Sequence, residues 1–234
     1  MEIYVRQREM ERLATLGEMA AGLAHEIRNP LGAIKGAAQY LDPSGDKPES
    51  RFLKVIVEEV DRLNRVVTQF LDYSKPPVTE FKQVELLPLV NKTVDMLKAN
   101  PVEGVRLEMS GVAKSVAVMA APEQIQQVLI NLIQNSTKAL SGRSDGVIRV
   151  GVDIDGASEA VVSVEDNGCG IKREHLDKLF IPFFTTSPSG TGLGLSISQK
   201  IIEFHRGRIE VATEEGRFTR FSVILPLVKK EQIT

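Results

Sequence analysis

Apolar residues at Leu13, Leu16, Ala20, Leu23, Ile27, Ile34 and Leu41 follow one another at intervals built from threes and fours. That spacing predicts one long helix from about Ile3 to Leu41 with a coiled-coil-like seam. Asp42-Pro43-Ser44-Gly45-Asp46 interrupts it, and after Pro48 a second stripe runs through Phe52, Ile56, Val60, Leu63, Val67 and Phe70. The two helices form a hairpin. At about 1.5 Å per residue the first is roughly 60 Å long, more apolar seam than one shorter helix covers, so two hairpins are expected to pair as a four-helix bundle in a homodimer. Ser74-Lys75-Pro76-Pro77 closes the second helix, because neither proline donates an amide hydrogen and each pushes the residue before it out of the α region.

Beyond this stiff linker the periodicity changes. Helical spacing over residues 88–98 and 122–140 alternates with extended patterns over 105–109 and 116–119. Alternation at Ile148, Val150, Val152 and Ile154, and again at Val162 and Val164, predicts further strands. After a glycine-rich stretch come a helix over 193–204 and strands over 208–212 and 220–225. Strands mixed with amphipathic helices predict one α/β layer pair. The chain is therefore expected to be multidomain, α then α+β: a helical hairpin over residues 1–75, a linker over 76–80 and an α/β domain over 81–230.

Composition narrows the partners. With 42% hydrophobic and 26% charged residues in 234, the chain has enough apolar material for real cores. A net charge of −2 without a lysine or arginine block excludes binding by phosphate neutralisation, so no nucleic-acid partner is expected. The single cysteine, Cys169, excludes an internal disulfide framework and suits a reducing compartment. No apolar run is long enough to span a bilayer, and residues 1–12 lack the apolar core of a signal peptide. The expectation is a cytoplasmic core whose first helix continues from upstream machinery, with membrane attachment only through segments absent from this chain.

The candidate chemistry starts at His25-Glu26-Ile27-Arg28-Asn29-Pro30. His25 lies two residues from both Leu23 and Ile27, about 200° around a helix, and so faces away from the seam. Glu26 is placed to accept a proton from one ring nitrogen, leaving the other lone pair free as a nucleophile near neutral pH. Pro30 removes an amide from the helix and frees the carbonyl of Glu26, which loosens the helix beside the histidine.

Three clusters follow in the second region. Asn131, Asn135 and Lys138 share one helical face, opposite Ile125, Val128, Leu129, Leu132 and Ile133. Amide oxygens suit the octahedral shell of Mg²⁺ and a lysine meets phosphate as a point charge, although such a row alone is also the ordinary wet face of a helix. Asp166-Asn167-Gly168-Cys169-Gly170 ends a strand with a carboxylate able to accept from an exocyclic amine, beside glycines that admit a flat ring; alone, it is also a tight turn. Gly190-Thr191-Gly192-Leu193-Gly194-Leu195 opens a helix whose N-terminal amides and dipole favour phosphate, without the spacing or lysine of a P-loop. Between the last two, Phe180-Ile181-Pro182-Phe183-Phe184-Thr185-Thr186-Ser187 joins an aromatic patch to a polar loop suited to a lid.

In this order and spacing, these residues resemble the sensor histidine kinases of two-component signalling, over about residues 13–226. The histidine box is residues 25–30, the asparagine box 131–135, the glycine boxes 166–170 and 190–195, and the phenylalanine box 180–184. The resemblance implies a dimerisation and phosphotransfer bundle, then an α/β sandwich ATP-binding domain of the type shared with gyrase, mismatch-repair and chaperone ATPases. It makes His25 the phospho-acceptor, Glu26 its activating base and Asn135 the Mg²⁺ ligand. Asp166 becomes the adenine reader, and Asn29 orients water in dephosphorylation of the partner. ATP is implied against Asn131, Asn135, Lys138, Asp166, Gly168, Gly170, Phe180, Thr185, Thr186, Gly190, Thr191, Gly192, Leu193 and Gly194. The implied partner is the receiver domain of a response regulator, which takes the phosphoryl group on an aspartate and docks beside His25.

Three positions depart from the family's pattern. Ser136-Thr137 stands where alanine-like residues are common, Ser187 where a lid lysine is common, and Gly216-Arg217-Phe218-Thr219 lacks a second glycine. Two other classes are open to the same residues. A dimeric nucleotide-binding scaffold needs Asp166 and the glycines but not His25, Glu26 and Asn135. An ATPase of the chaperone or topoisomerase type needs a catalytic glutamate where this chain has Asn131. Cys169, between two glycines, is most simply a small residue that fits.

Overall fold

The computed structural model describes residues 27–38, 50–74, 80–112, 116–156, 158–187 and 190–228. His25, Glu26, the seam before Ile27, Leu41, the interruption at 42–46 and residues 76–79 of the expected linker lie outside these. The chain divides into two compact units, Met1–Pro76 with Ile181–Leu193 and Pro77–Phe180 with Gly194–Thr234.

In the first unit, residues 27–38 form helix α1, which continues through Pro30; Pro30 and Ala37 are buried while Arg28, Asn29 and Leu31 are exposed. Helix α2 spans Ser50–Ser74. Of its expected stripe, Phe52, Ile56 and Leu63 are half-buried and Val60 and Val67 exposed; Leu53 and Val57 are exposed beside them, and Val66 is fully buried.

The second unit starts with strand β1 (Lys82–Glu85), helix α3 (Leu86–Lys98), β2 (Val105–Val112), β3 (Ala117–Ala120) and α4 (Pro122–Ala139). It continues with β4 (Gly146–Asp155), β5 (Glu159–Asp166), a short α5 (Arg173–Leu176), α6 (Gly194–Phe204), β6 (Arg208–Glu214) and β7 (Phe218–Pro226). Five strands form one sheet in the order β2-β4-β5-β7-β6, and β1 pairs with β3 in a separate ribbon. The β2–β4 pair is parallel and the others antiparallel. The connection between β2 and β4 runs through β3 and α4, the crossover a parallel pair requires.

Alternation decides which side of the sheet is dry. Ala160, Val162, Val164, Ile148, Val150, Val152, Phe221, Val223 and Leu225 are all buried and join one core with α3, α4 and α6. The opposite face carries a row of charge across four strands: Glu108 pairs with Arg149, Arg149 with Glu165 and Glu165 with Arg220. Each such exposed pair contributes little. The row nevertheless makes that face a solvent face and commits the helix side to the core and the site.

Several elements differ from the sequence expectation in extent. Helix α3 begins two residues before Pro88, since a proline in the first turn removes an amide that has no helical acceptor. The amide of Leu86 is instead taken by the carbonyl of Val116 at 2.8 Å. Strand β1 was not expected, because Lys82–Glu85 buries only Val84 and shows no readable alternation. The β6 and β7 strands run past 212 and 225, and α5 is an additional single turn.

One buried histidine ties the start of α4 to the end of α6. The residue before α4, Ala121, has no capping side chain, and its amide donates to Nε2 of His205 at 3.0 Å. His205 Nδ1 lies 2.7 Å from the carbonyl of Ile201, which makes Nδ1 the protonated nitrogen, and the ring lies against Phe81. Burial, the larger cause, holds its pKa below the ordinary 6.5, against the hydrogen bond to Ile201. The neutral ring is the native form, so its stabilising contribution is complete above pH 6.5 and declines as pH falls toward the lowered native value. His205→Asn is expected to cost about 1–3 kcal/mol at pH 7. In urea unfolding, the gap between wild type and variant should narrow from pH 6.5 to 5, and a constant gap would contradict the assignment.

Candidate functional site

The alternation that buries Ala160, Val162 and Val164 carries one step further and puts Asp166, the last residue of β5, on the helix side of the sheet at 2% exposure. Its strand neighbours in register are Ile148 on β4 and Thr219 on β7, the latter also buried. Ser136 on α4 donates its hydroxyl to Oδ2 at 2.8 Å, and the amide of Gly168 donates to Oδ1 at 2.9 Å. Desolvation dominates and pushes the carboxyl pKa up; these two donors pull it back, and neighbouring Glu165 adds a small upward push. The result is a carboxylate held by two donors, with lone pairs left for an N–H from a ligand.

The turn after Asp166 is fastened on both sides. Asn167 accepts from the amide of Val147 at 2.7 Å and donates to the carbonyl of Asp145 at 3.0 Å, so its side chain acts as a piece of strand. The carbonyl of Cys169 accepts from the amide of Gly216 at 2.7 Å, and Thr213 accepts from the amide of Ile171 at 3.0 Å. Gly170 has φ of 65° and lies so close to the carbonyl of Glu214 that a Cβ has no room. Cys169 itself is exposed. The β6–β7 turn thus supports the Asp166 turn although it lacks a second glycine.

On α4 the five expected apolar positions Ile125, Val128, Leu129, Leu132 and Ile133 are all buried. Asn131 and Asn135 are half-buried and Lys138 is exposed in the last turn. Asn131 donates through Nδ2 to Ser198 of α6 at 2.8 Å, and its amide stands against Gly194, where any Cβ would collide with it. Asn131 therefore sets the approach of α6 to α4 rather than only facing a ligand. Gly194 opens α6 one residue after the expected start, and Leu193 before it is fully buried.

The segment Ile181–Leu193 is folded on itself. Phe183 adopts φ of 65° and donates its amide to the carbonyl of Gly192 at 3.0 Å, and Gly192 also has positive φ. Thr185 Oγ1 accepts from the amide of Ser187 at 3.0 Å, and Ser187 accepts from the amide of Gly190 at 3.0 Å. Thr185 and Thr186 are exposed, while Phe180, Gly190, Thr191 and Gly192 are half-buried. Ser187, at the position where a lysine was the family expectation, is part of this turn.

Asn29 is exposed on α1, whereas His25 and Glu26 lie outside the described residues. In the sequence Ser136 and Thr219 stand out only as departures from the family's pattern, not as neighbours of Asp166. Ser136 is next to Asn135 on the buried side of the helix, where a short polar side chain reads as a packing residue, and Thr219 becomes a neighbour of Asp166 only through strand register. Among the described residues no cluster of three or more His, Cys, Asp or Glu side chains is arranged to hold a metal. The half-buried amide of Asn135 is a donor of the kind Mg²⁺ takes, with phosphate and water completing its shell. Also among the described residues, no helix is long and apolar enough to cross a membrane.

Residues 15–77 match the His Kinase A (phospho-acceptor) domain, and residues 120–229 match the histidine kinase-, DNA gyrase B-, and HSP90-like ATPase. Signal transduction histidine-protein kinase AtoS of Escherichia coli (strain K12) is 41% identical over 228 residues, covering 97% of this chain and 37% of AtoS. Sensor histidine kinase ZraS of the same strain is 38% identical over 237 residues, covering 96% of this chain and 50% of ZraS. The chain thus spans half or less of the length of these curated relatives. Histidine kinase ThkA, crystallised in complex with the response regulator protein TrrA, matches with a TM-score of 0.81 and 34% identity over 99% of this chain and 69% of the ThkA chain. A phospho-acceptor match is followed by an ATPase match in the order of the sequence boxes, and the likeness to ThkA runs through both: the chain belongs to the sensor histidine kinase family.

Proposed function

We propose that the chain is an ATP-dependent protein-histidine kinase that phosphorylates His25 and passes the phosphoryl group to an aspartate of a response-regulator receiver domain. The observation that supports this most is the buried, doubly anchored Asp166 on the helix side of the sheet. Ser136 and Gly168 offset part of the cost of burying this carboxyl and leave it acceptor capacity for one more donor, which the exocyclic amine of adenine offers. Asn131, Lys138, Gly168, Gly170, Phe180 and Gly194 belong to the same nucleotide site in this reading. Thr185, Thr186, Gly190, Thr191, Gly192 and Leu193 supply its lid and phosphate loop.

Asn135 would hold Mg²⁺, which would supply neutralisation of phosphate charge there. The protein's own part in the transfer is alignment: Glu26 orients the His25 imidazole and takes its proton, and the glycine-bordered α6 N-terminus holds the phosphates. The domain limits in this reading are residues 1–75 for the phospho-acceptor hairpin, 76–80 for the linker and 81–230 for the ATP-binding domain. Two hairpins pair as a homodimer, covering the exposed Leu53, Val57, Val60 and Val67 of α2. The same bundle also dephosphorylates the regulator, with Asn29, exposed on α1, orienting the attacking water. The three intact residues His25, Glu26 and Asn135 favour this over a nucleotide-binding scaffold.

Two measurements test the reading. Incubation with ATP labelled in the γ-phosphate should give a protein-bound label that is stable in base and lost in acid. His25→Gln should abolish that label while leaving ATP affinity unchanged, and a label that survives acid excludes histidine as the acceptor. For the site, Asp166→Asn should weaken ATP binding about 10- to 100-fold, the loss of one charge-assisted hydrogen bond. Its effect on stability has the opposite sign: a carboxyl whose native pKa is raised by burial loses stabilisation as pH rises from its ordinary value through the raised one, so ionisation of this side chain opposes folding. The variant should therefore unfold at no lower urea concentration than wild type at pH 7, and reduced stability with unchanged ATP affinity would remove Asp166 from the site.

A further inference from the structure

Serine and threonine inside a helix ordinarily return their hydroxyl to the carbonyl four residues back. Thr137 does this, donating to Ile133 at 2.9 Å. Ser136, one residue earlier and 1% exposed, does not; its hydroxyl crosses from α4 to β5 and donates to Asp166 Oδ2 at 2.8 Å. A serine hydroxyl has a single proton, so this choice is exclusive. The other oxygen of the same carboxylate is held by the amide of Gly168 at 2.9 Å.

One donor on each oxygen fixes the rotation of a carboxylate about its bond to the chain. With the Gly168 amide alone, the group is free to swing about that contact, and its open lone pairs point over a range of directions. With both, they point one way. Alanine-like residues are common at this position in the family and would leave Oδ2 without this donor.

We infer that Ser136 is a positioning residue of the nucleotide site: its hydroxyl sets the Asp166 carboxylate in the orientation that accepts the exocyclic amine of adenine. The inference rests on the reading of Asp166 given above and adds a residue that touches the base only through Asp166. It also places base recognition and the metal ligand on adjacent residues of one helix, Asn135 and Ser136, so a shift of α4 moves both.

A comparison of two ligands on the full chain separates this role from simple packing. ATP and purine riboside 5′-triphosphate, which lacks only the amine, are titrated calorimetrically against wild type and Ser136→Ala. Wild type should prefer ATP. Ser136→Ala should weaken ATP about tenfold, the order expected for loss of a hydrogen bond to a charged group, and leave the amine-free nucleotide within about twofold. Equal losses for both ligands, or no loss for ATP, overturn the inference and leave Asp166 as the reader without help. If wild type binds neither nucleotide, the reading of the site falls and takes Ser136 with it. Ser136→Cys keeps the volume with a weaker donor and should show the same amine-selective loss, smaller. Its absence overturns the inference even where the alanine variant fails to fold.

Discussion

Burial of one carboxylate is the constraint around which the second unit is arranged. Asp166 sits at the end of a strand whose alternation already commits it to the helix side, beside Val164 and opposite the buried Thr219. Desolvating a carboxylate costs several kcal/mol without partners, and the fold answers with Ser136 and Gly168 rather than with a cation. A cation in that place would saturate the charge and leave nothing for a ligand. Two neutral donors hold the group and leave part of its acceptor capacity available.

Helix α4 carries the second half of the arrangement. Its buried stripe anchors it against α3, α6 and β5, its cap is completed by His205 from the far end of α6, and its polar edge presents Asn131 and Asn135. Because α6 is fastened at both ends, by Asn131 near Gly194 and by His205 after Phe204, its N-terminus is set relative to α4 by hydrogen bonds as well as by packing. The outer sheet face, covered by the Glu108, Arg149, Glu165 and Arg220 row, takes no part in this.

What was legible in the sequence is what one period or one motif encodes locally. The apolar stripe of α4, the strands at 148–154 and 162–164 and the turn after Asp166 all follow from local spacing. What was not legible depends on partners distant along the chain. Strand β1 exists because β3 offers it a pairing edge, and Val84 is its only buried residue. Ser136 reads as a filler until β5 passes beneath it, thirty positions along the chain. His205 lies just past the expected helix with no evident role until its ring meets the amide of Ala121, 84 positions away. Asn131, expected to face a ligand, also donates to Ser198 and fits closely against Gly194; spacing on a helix identifies a polar face but not which partners meet it.

That engagement of Asn131 bears on which reaction the site supports. A hydrolytic ATPase needs a base that takes a proton from water, and in the related ATPases a glutamate stands at this position. An amide is not basic enough for that work. Here it is also committed, with its nitrogen donating to Ser198 and its oxygen pressed against the start of α6. The position serves the geometry of the α6 N-terminus and supplies no proton acceptor for water, which favours the proposed transfer over hydrolysis. In the proposed reaction the acceptor is the imidazole of His25, with Glu26 next to it in the chain.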